Sequence, residues 1–272
     1  MSDPVSLFEP VEGAWVPTDW ARGPWSPDAL HGGPTAALLA GETERAGDAA
    51  APDGVRFQPA RLSVELLRPV PVAPLSVRAD VTRPGRKVQM VDADVRTADG
   101  TVVASARLLR VRDDDVPAPV TTTGLAAPPP PDAPAQTRST NAATDAYEAF
   151  HSHGVEHRFV AGNFMDVGPA TDWIRLRVPV APGVEPTPLQ RVAAAADFGN
   201  GVSRVVDFTE LLFINPDLTI HLHREPAGEW VCIDAVTWME ERGLALAESR
   251  LWDERGPIGR SLQSLLIDRR AP

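Results

Sequence analysis

The sequence has 272 residues, a formal net charge of −11 and 43% hydrophobic residues, enough apolar material for a substantial core. The acidic balance argues against a nucleic-acid-binding protein, whose binding surface is normally basic. The single cysteine, Cys232, excludes an internal disulfide framework and is predicted to be a buried, unreactive thiol in a strand. No apolar run reaches transmembrane length and the N-terminus lacks the pattern of a secretory signal, so we expect a cytoplasmic protein.

The residue pattern of the N-terminal part predicts a strand and a loop, then one helix, then a series of strands. The first 30 residues are rich in proline and tryptophan and are expected to cover a core. A helix is predicted from about Pro34 to Arg45, because proline suits the first helical turn. A hairpin turn is predicted at Asp99-Gly100. Val- and Leu-rich strands are expected at about 60–69, 75–83, 86–97 and 101–112.

The C-terminal part predicts the same types of element after a proline-rich segment. Residues 116–136 predict a stiff, exposed linker. A helix is expected from about Pro188 to Asn200, closed by Gly201 as its C-cap. Strands are expected at about 155–161, 171–180, 210–224, 230–239, 242–253 and 257–268.

An internal repeat explains this similarity. Sliding the chain against itself by 156 positions aligns identical residues without a gap: Arg68 with Arg224, Arg86 with Arg242, Gly100 with Gly256 and Ser105 with Ser261. The apolar pattern of the strands follows the same register, which indicates an old duplication. We therefore divide the chain into an N-terminal unit (1–115), a linker (116–136) and a C-terminal unit (137–272).

The two copies differ where chemistry is expected. His31-Gly32-Gly33-Pro34 opens the first helix, where two glycines expose backbone N–H groups beside the positive end of the helix dipole. Such a turn can stabilise an oxyanion, with Gly33 as a donor, or it can be a simple turn. Asp197 lies in the Ala-rich helix of the second copy, where a buried carboxylate is costly unless it has a partner or a function.

These features resemble a known family. His31-Gly32-Gly33 resembles the signature of hotdog thioesterases, and the second half resembles the acyl-CoA thioesterase II group, whose members are double hotdogs. The second resemblance rests on the stretches 196–201, 215–224 and 261–264. It implies an α+β fold of two antiparallel sheets, each wrapped around a central helix. It also implies an acyl-CoA thioester hydrolase that uses an activated water without a metal or a cofactor, and double hotdogs commonly associate into oligomers.

The resemblance implies three residues that hold the water. In that group an aspartate, a small hydroxyl residue and a glutamine do so, and the matching positions here are Asp197, Asn215 and Gln263. Asn215 stands where that group has a hydroxyl residue, although the amide of asparagine can also position water. Thr219 is the alternative hydroxyl, and Asn215 before a proline could be only a turn former.

Two further groups are expected to contact the acyl-CoA. His31 and Gly32 adjoin Gly33 and are expected to lie against the substrate. One basic cluster surrounds the turn Pro84-Gly85 and predicts either a seat for the phosphates of coenzyme A or a solvated hairpin tip. Its members are Arg83, Arg86 and Lys87.

Other chemistries find less support in the sequence. His151, His153 and His157 have a loose spacing without a fixed acidic ligand, which argues against a metal site. No G-x-S-x-G motif is present, which excludes the nucleophile elbow of a serine hydrolase. Two alternatives stay open. An enoyl-thioester hydratase of the same fold would need a histidine near Asp197, and none is near it in sequence. A non-catalytic acyl-CoA binder would hold Asp197 in an ion pair away from any cavity.

Only one composite site is expected. In dimeric hotdogs the glycines and the acid come from different subunits, and here they are divided between the two copies. Asp197 aligns with Gly41, and Gly32-Gly33 aligns with Pro188-Leu189. The mirror site, in which the acid would come from the first copy and the glycines from the second, is therefore expected to lack both a carboxylate and exposed N–H donors. The generic Leu, Val and Ala residues do not indicate which acyl group is bound.

Overall fold

The computed structural model describes residues 5–119, 124, 126–133 and 146–269. The described helices are α1 (Gly32–Ala49), α2 (Pro188–Ala196) and α3 (Gly199–Val202). Single helical turns occur at Asp19–Ala21 and Phe150–Gly154. None of these helices is long and apolar enough to cross a membrane. The described strands are β1 (Phe8–Val11), β2 (Ala14–Pro17), β3 (Phe57–Leu66), β4 (Ser76–Pro84), β5 (Val88–Arg96), β6 (Val102–Arg112), β7 (Val155–Ala161), β8 (Ala170–Leu176), β9 (Leu211–Ile214), β10 (Asp217–Leu222), β11 (Val231–Met239), β12 (Leu244–Asp253) and β13 (Gly256–Arg269).

Eleven of the described strands form one antiparallel sheet. The order β4-β5-β6-β3 of the first half continues into β10-β13-β12-β11-β8-β7 of the second, and β9 pairs with β13. The junction is the β3–β10 pair, in which Glu65 lies opposite Asp217 and Arg61 lies opposite His221. Each half of the sheet packs against its own helices. The two expected sheets are thus joined edge to edge, and the predicted double hotdog architecture is confirmed.

The repeat register is visible in the elements themselves. α1 and α2 begin at the aligned residues Gly32 and Pro188, and β4, β5 and β6 align with β11, β12 and β13. The counterpart of β3 is divided into β9 and β10 at Asn215-Pro216. Proline cannot donate to a strand ladder, and the first copy has a bulge at the aligned position, between Pro59 and Arg61. Both copies therefore interrupt this strand at the same place.

The helix predicted from Pro188 to Asn200 is interrupted. Its start is capped by Thr187, whose hydroxyl accepts from the Gln190 N–H, while the Gln190 side chain accepts from the Thr187 N–H. The helix ends before Asp197, and α3 follows as a separate turn. The predicted C-cap at Gly201 is wrong, because Gly201 lies within α3. The break places Asp197 at a helix end instead of in a helix interior.

Small residues allow α1 and α2 to pack closely against each other. Residues 36–40 of α1 and 192–196 of α2 are buried and consist of alanine, leucine and valine. The inner face of the sheet closes around them with apolar side chains such as Val91, Val95 and Ile233. The core is therefore shared between the two halves, as the small-residue helices predict.

The described part of the proline-rich segment lies against the second half. The indole N–H of Trp173 donates to the carbonyl oxygen of Pro129 over 2.7 Å, and the Arg158 guanidinium donates to that of Pro131 over 2.6 Å. Pro131 is buried. The expectation of an exposed linker is therefore wrong at Pro131, whereas most other described residues of the segment, including Pro129 and Pro130, are exposed. Side chains of β7 and β8 hold two of its backbone carbonyl groups. Residues 120–123, 125 and 134–136 of that segment lie outside the described residues.

Glu44 of α1 and Thr187 before α2 form a polar contact between the two halves. The Thr187 hydroxyl donates to the Glu44 carboxylate. Burial raises the pKa of Glu44 from 4.5 to about 7, opposed by the hydrogen bond from Thr187 and by the positive charge of Arg110. The carboxyl group therefore keeps its proton in the folded protein at pH values where the unfolded chain has lost it.

This pKa difference predicts that Glu44 makes the protein less stable as the pH rises from about 4.5 to about 7. The folded state binds the proton more tightly, so the stabilisation is complete below the unfolded-state pKa and is lost above the folded-state pKa. Glu44→Gln removes this dependence and keeps an acceptor for Thr187. Between about pH 5 and pH 8 we expect the variant to gain roughly 1–3 kcal/mol over the wild type in unfolding experiments. Parallel stability curves across this range would contradict the prediction.

Candidate active site

Asp197 stands at the end of α2 with its carboxylate enclosed by three side chains. Asn215 Nδ2 donates to Oδ1 over 2.8 Å, and Gln263 Nε2 lies 3.3 Å from the same oxygen. His31 Nδ1 lies 2.9 Å from Oδ2. The Asp197 side chain is 3% exposed, and a carboxylate this buried is unfavourable without hydrogen bonds. Two neutral amides meet that need, and no Lys or Arg of the described residues forms an ion pair with it.

Gln263 also connects the two helices on either side of the break. Its Nε2 donates to the backbone oxygen of Asp197 over 3.1 Å, and its Oε1 accepts from the Asn200 N–H over 3.0 Å. Asn200 Nδ2 in turn lies 3.4 Å from Asn215 Oδ1. The structure thus brings together the predicted residues Asp197, Asn215 and Gln263. It adds Asn200, which the sequence signalled by its place one turn after Asp197 and within the stretch 196–201 that resembles the family.

The first copy supplies the start of α1. The Gly33 N–H lies 3.0 Å from His31 Nδ1, so His31 caps the helix. The imidazole ring contacts Phe150 and Phe198 at centroid distances of 5.2 Å and 4.7 Å, and these two rings stack on each other at 5.5 Å. The three rings therefore pack as one cluster beside Asp197. Spacing in the sequence could not reveal this contact, because His31 and Asp197 lie in different copies.

Steric limits explain both glycines of this turn. A Cβ at Gly32 would lie 2.6 Å from Oδ2 of Asp197, and a Cβ at Gly33 would lie 2.7 Å from the carbonyl oxygen of Ala194. Any side chain at these positions would separate α1 from α2. The glycines therefore let the positive end of the α1 dipole approach the carboxylate.

His31 Nδ1 has two neighbours that make opposite demands on it. The Gly33 N–H requires a lone pair on Nδ1, whereas the Asp197 carboxylate requires a proton there. One nitrogen can satisfy only one of these at a time. When Nδ1 donates to Asp197, the Gly33 N–H loses its acceptor. Gly33 itself is buried, whereas Gly32 is partly exposed.

A cavity of about 430 Å³ opens onto these groups. Its polar lining includes His31, Gly32, Asp197, Asn200 and Asn215. The remaining wall is mostly apolar, and this size falls within the range of about 300–1,000 Å³ that small-molecule sites occupy. The site therefore combines a carboxylate that can accept a proton with backbone donors at the edge of an apolar cavity.

Thr219 does not belong to this site. It lies between Leu218 and Ile220, whose side chains are buried on the inner face of β10. Because successive side chains of a strand alternate, Thr219 projects from the opposite face. The alternative in which Thr219 supplies the hydroxyl is therefore wrong, and Asn215 occupies the place beside Asp197.

The predicted basic cluster also lies away from the cavity. Arg83, Arg86 and Lys87 surround the β4–β5 turn, where the Arg112 N–H donates to the Lys87 carbonyl oxygen. Arg112 pairs with the first residue of β3, whereas the cavity lies beyond the last residue of β3. The structure therefore does not bring these three residues to the site of the same chain. Two arginines line the cavity, Arg68 and Arg204, and the guanidinium of Arg204 donates to three backbone carbonyl groups.

The mirror site is filled by side chains. A Cβ at Gly41, the counterpart of Asp197, would lie 2.3 Å from Gln190 Nε2, so Gln190 occupies that space. Arg110, the counterpart of the cavity-lining Leu266, lies over the Phe57 ring and pairs with Asp48. The expectation that the mirror lacks any carboxylate is wrong, because Glu44 lies one turn beyond Gly41. It contacts Thr187 instead of a glycine turn.

The remaining polar candidates have other surroundings. His157 Nδ1 lies 2.5 Å from Asp172 Oδ2, with both side chains buried. Within the described residues no group of three or more His, Cys, Asp or Glu side chains could hold a metal ion. Cys232 is buried in β11 as predicted, and burial raises the pKa of its thiol well above the usual value.

Comparisons with known proteins address both halves. A family model described as the acyl-CoA thioesterase N-terminal domain matches residues 21–111. A second model, described as the acyl-CoA thioesterase C-terminal domain, matches residues 125–267. No curated protein matches the sequence.

Solved structures share the fold over most of the chain. A candidate thioesterase II from Thermobifida fusca is 18% identical with a TM-score of 0.71, covering 97% of this chain and 96% of its own. A candidate thioesterase from Novosphingobium aromaticivorans is 22% identical with a TM-score of 0.68, covering 88% of each chain. An acyl-CoA thioesterase II from Mycobacterium marinum is 17% identical with a TM-score of 0.65, and the match covers 89% of this chain and 92% of that chain. With family matches over both halves, this chain belongs to the acyl-CoA thioesterase family of double hotdog proteins.

Proposed function

We propose that the protein hydrolyses acyl-CoA thioesters by means of a water molecule that Asp197 activates. The observation that carries the proposal is the approach of the Asp197 carboxylate to the glycine turn of α1, at the wall of an apolar cavity. A thioester carbonyl bound there would lie between a proton acceptor and backbone N–H donors. Membership of the family supports the same reaction.

The two oxygens of Asp197 are suited to different tasks. Oδ1 accepts from Asn215 and Gln263, which fixes the plane of the carboxylate. Oδ2 faces His31 and the glycine turn, and it is the oxygen we assign as the general base. In the proposed step the water oxygen attacks the thioester carbon while its proton passes to Oδ2. The tetrahedral intermediate then releases the coenzyme A thiolate, which takes up the proton.

His31 and Gly33 are assigned to the oxyanion. When His31 Nδ1 donates to Asp197, the Gly33 N–H can donate to the developing negative charge on the substrate oxygen. The dipole of α1 favours that charge as well. Because Nδ1 lies 3.0 Å from the Gly33 nitrogen, the His31 ring would have to shift when the substrate oxygen takes its place as the acceptor.

Asp197→Asn tests the base. The asparagine side chain keeps the shape and an acceptor for Asn215, but it cannot take a proton from water. We expect kcat to fall by about 10²–10⁴-fold while binding of a non-hydrolysable acyl-CoA analogue persists. Asn215→Ala should lower kcat less, because Asn215 orients the carboxylate. Full activity of Asp197→Asn would contradict the assignment.

Arg68 is the residue we assign to the phosphate-bearing end of coenzyme A. Its counterpart in the repeat, Arg224, forms a bidentate ion pair with Asp253 at 2.6 Å and 2.5 Å. The residue that aligns with Asp253 is Thr97, and no acidic side chain of the described residues pairs with Arg68. Arg68 is exposed at the cavity wall, so its guanidinium is available to a phosphate.

Arg68→Gln is expected to raise KM for an acyl-CoA by roughly two- to tenfold, in line with an exposed charge pair. KM for the matching acyl-pantetheine, which has no phosphates, should not change. Arg83→Gln, at the distant β4–β5 turn, is the matched control and should leave both KM values unaltered. An equal rise in KM for the acyl-CoA and the acyl-pantetheine would contradict the assignment of Arg68.

One observation favours a second candidate, an enoyl-thioester hydratase. No histidine is near Asp197 in sequence, but the fold places His31 Nδ1 2.9 Å from Oδ2. An Asp–His pair could add water across a carbon–carbon double bond. Incubation with a short 2-enoyl-CoA distinguishes the two reactions: release of free thiol supports the thioesterase, whereas loss of the enoyl absorbance without thiol release supports the hydratase. The non-catalytic binder finds no support, because Asp197 lines the cavity.

A further inference from the structure

We propose that the acyl group of the substrate carries an aromatic ring. This inference rests on the proposed thioesterase function and concerns the acyl part of the same cavity. The observation that motivates it is the lining of that cavity by five aromatic side chains: Trp25, Phe164, Phe198, Phe208 and Phe213. They come from separate segments of the chain and converge only in the folded protein.

Three of these side chains form an ordered set. Trp25 stacks on Phe208 with a centroid distance of 4.5 Å and an interplanar angle of 17°. Phe213 meets Trp25 edge-on at 5.1 Å and 83°, and meets Phe208 at 6.0 Å and 80°. Aromatic pairs prefer these stacked and edge-to-face geometries at 4.5–7 Å, because ring edges are positive and ring faces are negative. A ring in the substrate can extend this arrangement, whereas a saturated chain gains only buried area.

The aromatic wall adjoins the groups assigned to the thioester. Phe198 follows Asp197 directly and packs against the His31 ring. The carbonyl oxygen of Phe213 accepts from Asn200 Nδ2 over 3.3 Å, and Phe213 precedes Asn215 by two residues. The wall is therefore placed to contact the acyl group next to the thioester, whereas Arg68 serves the phosphate end.

The repeat shows that this wall is not a requirement of the fold. The counterparts of Phe198 and Phe208 in the first copy are Glu42 and Pro52. The counterpart of Phe213 is Phe57, which is buried beneath Arg110. The counterpart of Phe164 is the buried Phe8. Phe198 and Phe208 are thus aromatic only in the copy whose cavity is open, so the fold does not require an aromatic ring at these two positions.

A pair of substrates of matched size tests the proposal. Phenylacetyl-CoA and cyclohexylacetyl-CoA have the same carbon skeleton, but only the first has an aromatic face. We expect kcat/KM to favour phenylacetyl-CoA by about two- to tenfold, the preference that one aromatic pair contributes. Phe213→Leu should bring this ratio towards one. Phe57→Leu, its repeat counterpart outside the cavity, should leave the ratio unchanged.

Phe208→Leu provides a second variant at the partly exposed cavity wall, should Phe213→Leu fail to fold. Equal rates for the two substrates in the wild type would overturn the proposal while leaving thioesterase activity intact. An unchanged ratio with a KM raised equally for both substrates in Phe208→Leu would also overturn it, and would assign the aromatic wall to the adenine ring. Failure to hydrolyse any acyl-CoA would remove the proposed function itself.

Discussion

The contact between the Asp197 carboxylate and the glycine turn of α1 is the constraint on which the rest of the structure depends. The carboxylate is buried, and it is held by two amides and a helix dipole instead of by a cation. The absence of a Cβ at Gly32 is what permits the approach. Small residues along α1 and α2, the break after Ala196 and the junction of β3 with β10 all serve to keep this contact in place.

Duplication explains why the contact occurs once. Each copy retains one part of the site and has filled the place of the other part. In the mirror, Gln190 takes the space where an acid would lie, and Arg110 fills the space that corresponds to the cavity. Glu44 remains there as a buried carboxyl group with a raised pKa, bound to Thr187. The mirror site has thus become part of the packing between the halves, while the site at Asp197 stays open to a ligand.

Much of the fold could be predicted because the repeat register fixes the order and type of the elements. The site was predictable in part, since Asp197, Asn215 and Gln263 lie in stretches that resemble a family. The contact of His31 with Asp197 and the convergence of Trp25 with Phe208 were not, because they join segments that only the fold brings together. The orientation of Thr219 could have been predicted from the sequence. Its apolar neighbours Leu218 and Ile220 face the core, so alternation along the strand places Thr219 on the opposite face.

The central claim is that the two halves build one productive site per chain. Calorimetric titration with a non-hydrolysable acyl-CoA analogue tests it most directly, because the stoichiometry does not depend on which residue is the base. We expect one molecule bound per chain, with the analogue's carbonyl at Gly33 in a structure of the complex. Two equivalent molecules per chain, the second with its carbonyl at the start of α2, would contradict it.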